Sequence, residues 1–299
     1  MFKNMNTASQ AMELYLVTTD HLEDRIWFRD EEDFKAGMNT VAILAAVAPT
    51  VHILAFTLMS NHVHFVLECS YEEATSFINA FKKYHSRYLH CKYGFKETLR
   101  GNHVDIQRIN LTEDSPERVI AYVLMNCVAA NICLYPADYP WGTGNIYFRM
   151  TERKGRRIGT LSKREQVRVL HSKAYLPADY ILGEDGYILP ESYTKVSFVE
   201  ALFHTPKRML FFLQNSSKAK QRIESNDQMV PAFKDQLIIS AIPDLCHSLF
   251  RKNKLSDLTP EQRIELLRQI HYRFSANINQ IGRVSGLPYE EVVKQLDSF

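Results

Sequence analysis

Between Val51 and Leu67 the chain is largely apolar, and Asn61-His62-Val63-His64 is set into that run. The pattern constrains the fold tightly. It reads as two strands, His52–Met59 and His62–Glu68, joined closely at Ser60-Asn61 as in a hairpin. Side chains alternate along a strand, so His62 and His64 share one face while Val63 points into a core. Two imidazoles held on one face of a sheet make half of a metal site. Alone, such a pair equally suits one satisfied buried histidine and one surface histidine. A third ligand and a nucleophile would decide between the two.

The surrounding pattern supplies the rest of a layered domain. Glu13 to Thr19 is rich in β-branched and aromatic residues and reads as a strand. Asp30 is placed to cap a helix that runs to about Val47, and Pro49 ends it. Tyr71 to Tyr93 carries Phe77, Phe81, Tyr84, Tyr88 and Leu89 at helical spacing, with Gly94 as a C-cap. His103–Ile109 alternates as a strand. Ser115-Pro116-Glu117 opens a helix expected to continue to about Ala130. The order β-α-β-β-α-β-α predicts an α+β fold, a ferredoxin-like antiparallel sheet with helices packed on it.

With 299 residues the chain is long enough for two domains. The composition turns polar and basic at Arg153-Lys154-Gly155-Arg156-Arg157, which sets the expected boundary: residues 10–150 as one domain, 151–299 as a mostly helical C-terminal domain. Candidate helices there are Ser162–Tyr175, Ser197–Phe203, Thr205–Asn215, Phe233–Phe250 and Pro260–Phe274. The formal charge of +2 argues against a general nucleic-acid coating protein. Cys69, Cys91, Cys127, Cys133 and Cys246 show no CxxC spacing, which points away from a zinc ribbon or disulfide framework and toward a reducing cytoplasm. No signal peptide is visible, and no apolar run is long enough to span a membrane. The expected setting is a bacterial cytoplasm, nucleoid-associated.

Tyr122 and Asn126 are four residues apart, so they lie one turn apart on one helix face. Set against the histidine pair, they complete a constellation. His62, His64 and Asn126 would give two nitrogens and one oxygen to Mg²⁺ or Mn²⁺, and Tyr122 would be the nucleophile. A phenol with a pKa of about 10 is a weak nucleophile. It becomes competent when the phosphate is activated and held in line. A phosphotyrosine bond conserves the phosphodiester's energy, so a strand can be rejoined without ATP.

These residues carry a resemblance. Phe56 to Val66, containing His62-Val63-His64, resembles the histidine-hydrophobe-histidine segment of the single-tyrosine HUH transposases. Ala121 to Asn126 resembles their catalytic helix, and Tyr139-Pro140-Trp141-Gly142-Thr143 the segment after it. The nearest branch is the REP-associated tyrosine transposases of bacteria. Many members carry proline where this chain has Ser60 and Cys127. The resemblance implies an HUH endonuclease domain that cleaves and rejoins single-stranded or hairpin DNA through a 5′-phosphotyrosine, with Mg²⁺ or Mn²⁺ as cofactor. Carried over, His62, His64 and Asn126 are metal ligands and Tyr122 is the nucleophile. A domesticated sequence-specific DNA-binding regulator without cleavage activity is the alternative. A nicking initiator of replication or conjugation shares the motif but fits a short chain without helicase motifs less well.

For DNA contacts, Lys82, Lys83, Arg87 and Lys92 on the second helix, with Arg100 and Arg108 near the next strand, are candidate phosphate binders. The Arg153–Arg157 cluster is a further candidate, or a solvated linker. Ser275 to Leu296 reads as helix, glycine turn and helix, a possible helix-turn-helix at 262–299. Its second helix would expose Tyr289, Glu290, Glu291 and Lys294, a poor phosphate-binding face. A packing module fits the same pattern. The expected partner is DNA, with no membrane, and the protein a monomer or homodimer.

Overall fold

A computed structural model describes residues 13–19, 26–94, 99–101, 103–111, 114–130, 132–217, 235–274 and 276–296. Its centre is an antiparallel sheet of β1 (Glu13–Thr19), β2 (His52–Leu58), β3 (Val63–Cys69) and β4 (Val104–Arg108) in the order β2-β3-β1-β4. With α1 (Glu31–Val47) between β1 and β2, and α2 (Tyr71–Tyr93) between β3 and β4, this is the expected ferredoxin-like arrangement. The predicted first-domain strands and helices are all present. Residues 1–12 lie outside the described residues.

The alternation of each strand sorts its side chains between two cores. Val63, Phe65 and Leu67 join Phe34, Met38, Phe77 and Phe81 beneath α1 and α2. Leu14, Leu54 and Val66 face the other way and pack with Ile120, Val123 and Leu124 of α3 (Pro116–Leu124). Local signals start the helices as expected. Asp30 accepts from the Asp33 amide at 2.9 Å. Ser70 and Glu73 form a reciprocal capping box at the start of α2.

The predicted helix to Ala130 is instead interrupted at Met125, and a short α4 (Asn126–Ala129) follows. The reason is local. Asn126 Nδ2 donates to the carbonyls of Tyr122 and Val123 at 2.9 and 3.3 Å. A side chain that takes carbonyls of the preceding turn competes with the main-chain ladder.

The segment after α4 adds an edge to β2. Leu58 N donates to Trp141 O, Thr143 N donates to Phe56 O, and Tyr139 Oη donates to Leu58 O, at 2.9, 3.0 and 2.7 Å. Trp141 then stacks on Phe34 with ring centroids 4.9 Å apart.

The basic stretch read as a boundary is partly strand. β5 (Gly155–Arg157) pairs with β6 (Ile181–Gly183). Ile158, Leu161, Leu170 and Ile188 around them share a core with Ala42 and Ile43 of α1. Val199, Phe203 and Met209 of α6 (Val196–Phe203) and α7 (Pro206–Gln214) pack under α3. The first domain's cores therefore continue well past residue 150. A short α5 (Lys163–Leu170) covers the outer side of α1.

The C-terminal helices form a core of their own: α8 (Asp235–Phe250), α9 (Pro260–Phe274), α10 (Ile278–Ser285) and α11 (Tyr289–Leu296). The predicted start of α8 at Phe233 lies outside the described residues. Ile281, Val284 and Val292 are buried as the helix-turn-helix pattern requires. Gly286 makes the turn at φ 72°, which favours glycine. Among the described residues no helix is long and apolar enough to cross a membrane.

Candidate active site

The sheet register sets the site. His64 on β3 lies opposite Thr57 of β2 and Thr18 of β1, and Thr18 lies opposite Asp105 of β4. Directly paired residues share a face, so Thr57, His64, Thr18 and Asp105 form one row across the sheet. That row faces α3, which is anchored over it by Thr57 Oγ1 donating to Val123 O at 3.0 Å.

His62 stands just before β3, with its ring centroid 4.8 Å from that of His64 and the rings at 87°. Each imidazole has a partner on Nδ1. His62 Nδ1 is 2.8 Å from Asn61 Oδ1, an oxygen that only accepts. That places a proton on Nδ1. His64 Nδ1 is 3.0 Å from Thr18 Oγ1. Such contacts orient an imidazole for a metal or a proton.

The Tyr122 ring lies edge-on to His64 with centroids 6.1 Å apart. Burial, followed by the negative charge of Asp105, raises its phenol pKa above the ordinary tyrosine value. Asn126 is buried one turn on, with its amide nitrogen committed to helix carbonyls and its oxygen not so committed. His62, His64, Tyr122 and Asn126 line a single cavity of about 340 Å³ together with Thr18 and Asn61. Its opposite side is formed by the C-terminal helices, including Asn279, Arg283 and Tyr289.

The donor set suits a divalent cation of borderline or hard character. Two neutral imidazole nitrogens and one amide oxygen bring no negative charge, so a phosphate oxygen would complement them. Among the described residues no cluster of three His, Cys, Asp or Glu side chains could hold a metal. An amide oxygen as third donor is therefore essential to this reading.

The basic candidates lie elsewhere. Lys82 is only 4% exposed, so its burial within the α2 core face does not present it to phosphate. Lys83, Arg87 and Lys92 line a groove of about 1200 Å³ with Tyr84, Tyr88 and Lys173, on the α1–α2 side of the sheet away from Tyr122. Lys92 is held by Asp30 and Asp33 at 2.6 and 2.7 Å. Burial alone would lower its pKa, but the hydrogen bonds to these carboxylates carry it upward. Arg108 pairs with Glu13 at 2.6 Å on the exposed end of the sheet. Arg153 is clamped in two bonds by Glu191. The side chain of Arg100 lies outside the described residues.

Sequence reading missed Thr18, Asn61 and Asp105. Thr18 had a faint signal, a polar residue at an alternating position of β1, but only the strand register brings it to His64. Nothing local in the sequence connects Asn279, Arg283 or Tyr289 to the histidines.

Residues 28–108 match the family model described as Transposase IS200 like. The matched segment contains both histidines and ends before Tyr122. Among solved structures the chain is similar to a REP-associated tyrosine transposase bound to a REP hairpin. That likeness is 14% in identity over 56% of this chain and 87% of that chain, with a TM-score of 0.33. No curated protein matches the chain.

Proposed function

We propose that this chain is a metal-dependent DNA strand transferase that cleaves and rejoins single-stranded or hairpin DNA through a 5′-phosphotyrosine on Tyr122. The observation that carries the reading is the shared cavity of His62, His64, Asn126 and Tyr122, with the Tyr122 ring edge-on to His64. The match of residues 28–108 to the IS200-like transposase model supports DNA as the substrate class.

His62 and His64 would hold a Mg²⁺ or Mn²⁺ ion with Asn126 Oδ1. When bound, that ion supplies charge neutralisation at the scissile phosphate. The remaining work falls to the chain. Thr18 and Asn61 keep the imidazoles oriented through their Nδ1 atoms. The α3 helix, anchored by Thr57, holds the phenol for in-line attack. Tyr122 Oη forms the new P–O bond as it loses its proton, the bond to the 3′ oxygen breaks, and that oxygen leaves as a protonated hydroxyl. Reversal with another 3′ hydroxyl rejoins a strand. The raised phenol pKa favours the protonated tyrosine, so its proton leaves as the P–O bond forms.

The test uses single-stranded hairpin oligonucleotides with Mn²⁺ and detects denaturation-resistant adducts. Wild-type protein is expected to form them. Tyr122→Phe should lose adducts at least 1000-fold, a magnitude on the order of a missing nucleophile, while hairpin binding survives. Adducts that persist in Tyr122→Phe would put the nucleophile elsewhere. Hairpin binding by the wild type with no metal-dependent adduct would favour the DNA-binding regulator instead.

A further inference from the structure

The reaction cavity has two walls from distant parts of the chain. One is the sheet and α3, with His64 and Tyr122. The other is α10 and the start of α11, with Asn279, Arg283 and Tyr289. A buried carboxylate joins them. Asp235, the first residue of α8, is 2% exposed. It accepts from Ser60 Oγ at 3.1 Å, Gln280 Nε2 at 3.0 Å and Arg283 Nε at 2.8 Å. Ser60 lies in the turn two residues before His62. One carboxylate thus ties the histidine hairpin directly to the helix that faces it. A buried carboxylate persists only where its desolvation is compensated by well-placed donors, so this docking is specific in geometry.

Arg283 is committed to the dock, which leaves Asn279 and Tyr289 as the polar groups that this wall offers to the cavity. Tyr289 is 53% exposed, directly after Pro288. The tight turn at Gly286 brings it there: at Gly282 an added Cβ would sit 3.0 Å from Leu287 O, so the turn folds back closely on α10. An exposed phenol ring offers a stacking surface to an unpaired base. A carboxamide offers a donor and an acceptor to a base edge. A cavity of about 340 Å³ is of the size that takes one small ligand such as an unpaired nucleotide. Glu290 and Glu291 on the same helix would repel duplex phosphates.

We propose that the C-terminal helix-turn-helix-like unit is a base-reading wall of the reaction cavity: Tyr289 and Asn279 contact the unpaired nucleotide beside the phosphate that Tyr122 attacks and select its base. This rests on the strand-transfer reading above, which places that nucleotide. The unit therefore acts on the same strand as the tyrosine rather than on a separate duplex site.

The test uses the full chain, Mn²⁺ and a library of hairpin oligonucleotides with a randomised single-stranded flank. Covalently captured strands are sequenced. Wild-type protein is expected to enrich particular bases beside the joined phosphate, and Tyr289→Ala and Asn279→Ala to reduce that enrichment at least fivefold. Unchanged enrichment in both variants, or adducts without any enrichment in the wild type, overturns the proposal and leaves strand transfer standing. No adduct from the wild type overturns strand transfer itself. A second measurement does not depend on turnover. In Tyr122→Phe, hydrogen exchange with a single-stranded oligonucleotide bound should slow both at β3 and at residues 286–289. Slowing at β3 alone overturns the wall.

Discussion

Asn126 uses the two ends of one amide differently. Its nitrogen donates to the carbonyls of Tyr122 and Val123 and breaks the helix, and this fixes the oxygen as the end left for the cavity. Thr18 acts one step further out, through His64 Nδ1. Removing an oriented partner of a metal-binding imidazole typically weakens metal affinity by roughly tenfold or more. Thr18→Val should accordingly raise the Mn²⁺ concentration for half-maximal adduct formation about tenfold, and a metal titration of variant and wild type checks it. An unchanged titration would mean that Thr18 does not tune the ligand. His85, fully buried in α2, has a different consequence. Its Nε2 donates to Trp27 O at 2.8 Å. Burial lowers its pKa from 6.5 to about 4, against the Trp27 bond that raises it. Between these values the unfolded chain binds the extra proton, so stability is lost as pH falls from 6.5 toward about 4. The loss from this group is at most roughly 3 kcal/mol. Denaturant unfolding at pH 7 and 4.5, with an NMR titration of the His85 ring, measures it. A ring that titrates near 6.5 in the folded state would remove the effect.

At the scale of elements, the strands and their faces follow from alternation, and the helix starts from capping residues. The Tyr139–Thr143 segment shows where local pattern stops being informative. Its residues were legible as a motif, but its role is to pair with β2 and lay Trp141 on Phe34. Gly142 permits that pairing, since a Cβ there would sit 2.5 Å from Phe56 O. Gly142→Ala should destabilise the chain by about 1–3 kcal/mol through overpacking, read as a lower denaturant midpoint. A midpoint equal to that of wild type would show that the edge yields freely. Helix α2 is a contrasting case. Its basic stripe is visible in sequence, yet Lys82 turns inward and Lys92 is held by Asp30 and Asp33 from α1 and its cap. Partners 59 and 62 residues away cannot be read from helical spacing.

Across the whole molecule, the histidine hairpin and the C-terminal helices meet at Asp235. Removing one partner of a buried ion pair is costly because the other charge remains desolvated, about 3 kcal/mol or more. Asp235→Ala should therefore speed amide exchange in Ile278–Ser285 by roughly 100-fold while β3 exchange is little changed. Equal exchange in variant and wild type would mean the dock contributes nothing to holding α10. The composition shift near residue 150 predicted a boundary, but Val199, Phe203 and Met209 pack under α3 well beyond it. Apolar residues in that stretch carry no mark of which core they join.

By itself the sequence determined the ferredoxin-like element order, the shared face of His62 and His64, and the one-turn spacing of Tyr122 and Asn126. These depend on periodicities of two and of about 3.6 residues, which are written into the chain locally. Only the tertiary structure decided that Thr18 and Asp105 stand in the histidine row. It likewise decided that Tyr122 faces His64, and that α10 and α11 close the cavity through Asp235. Those relations depend on strand register and on contacts between residues up to 175 positions apart. No periodicity in the chain encodes them, because packing free energy summed over the whole core selects them.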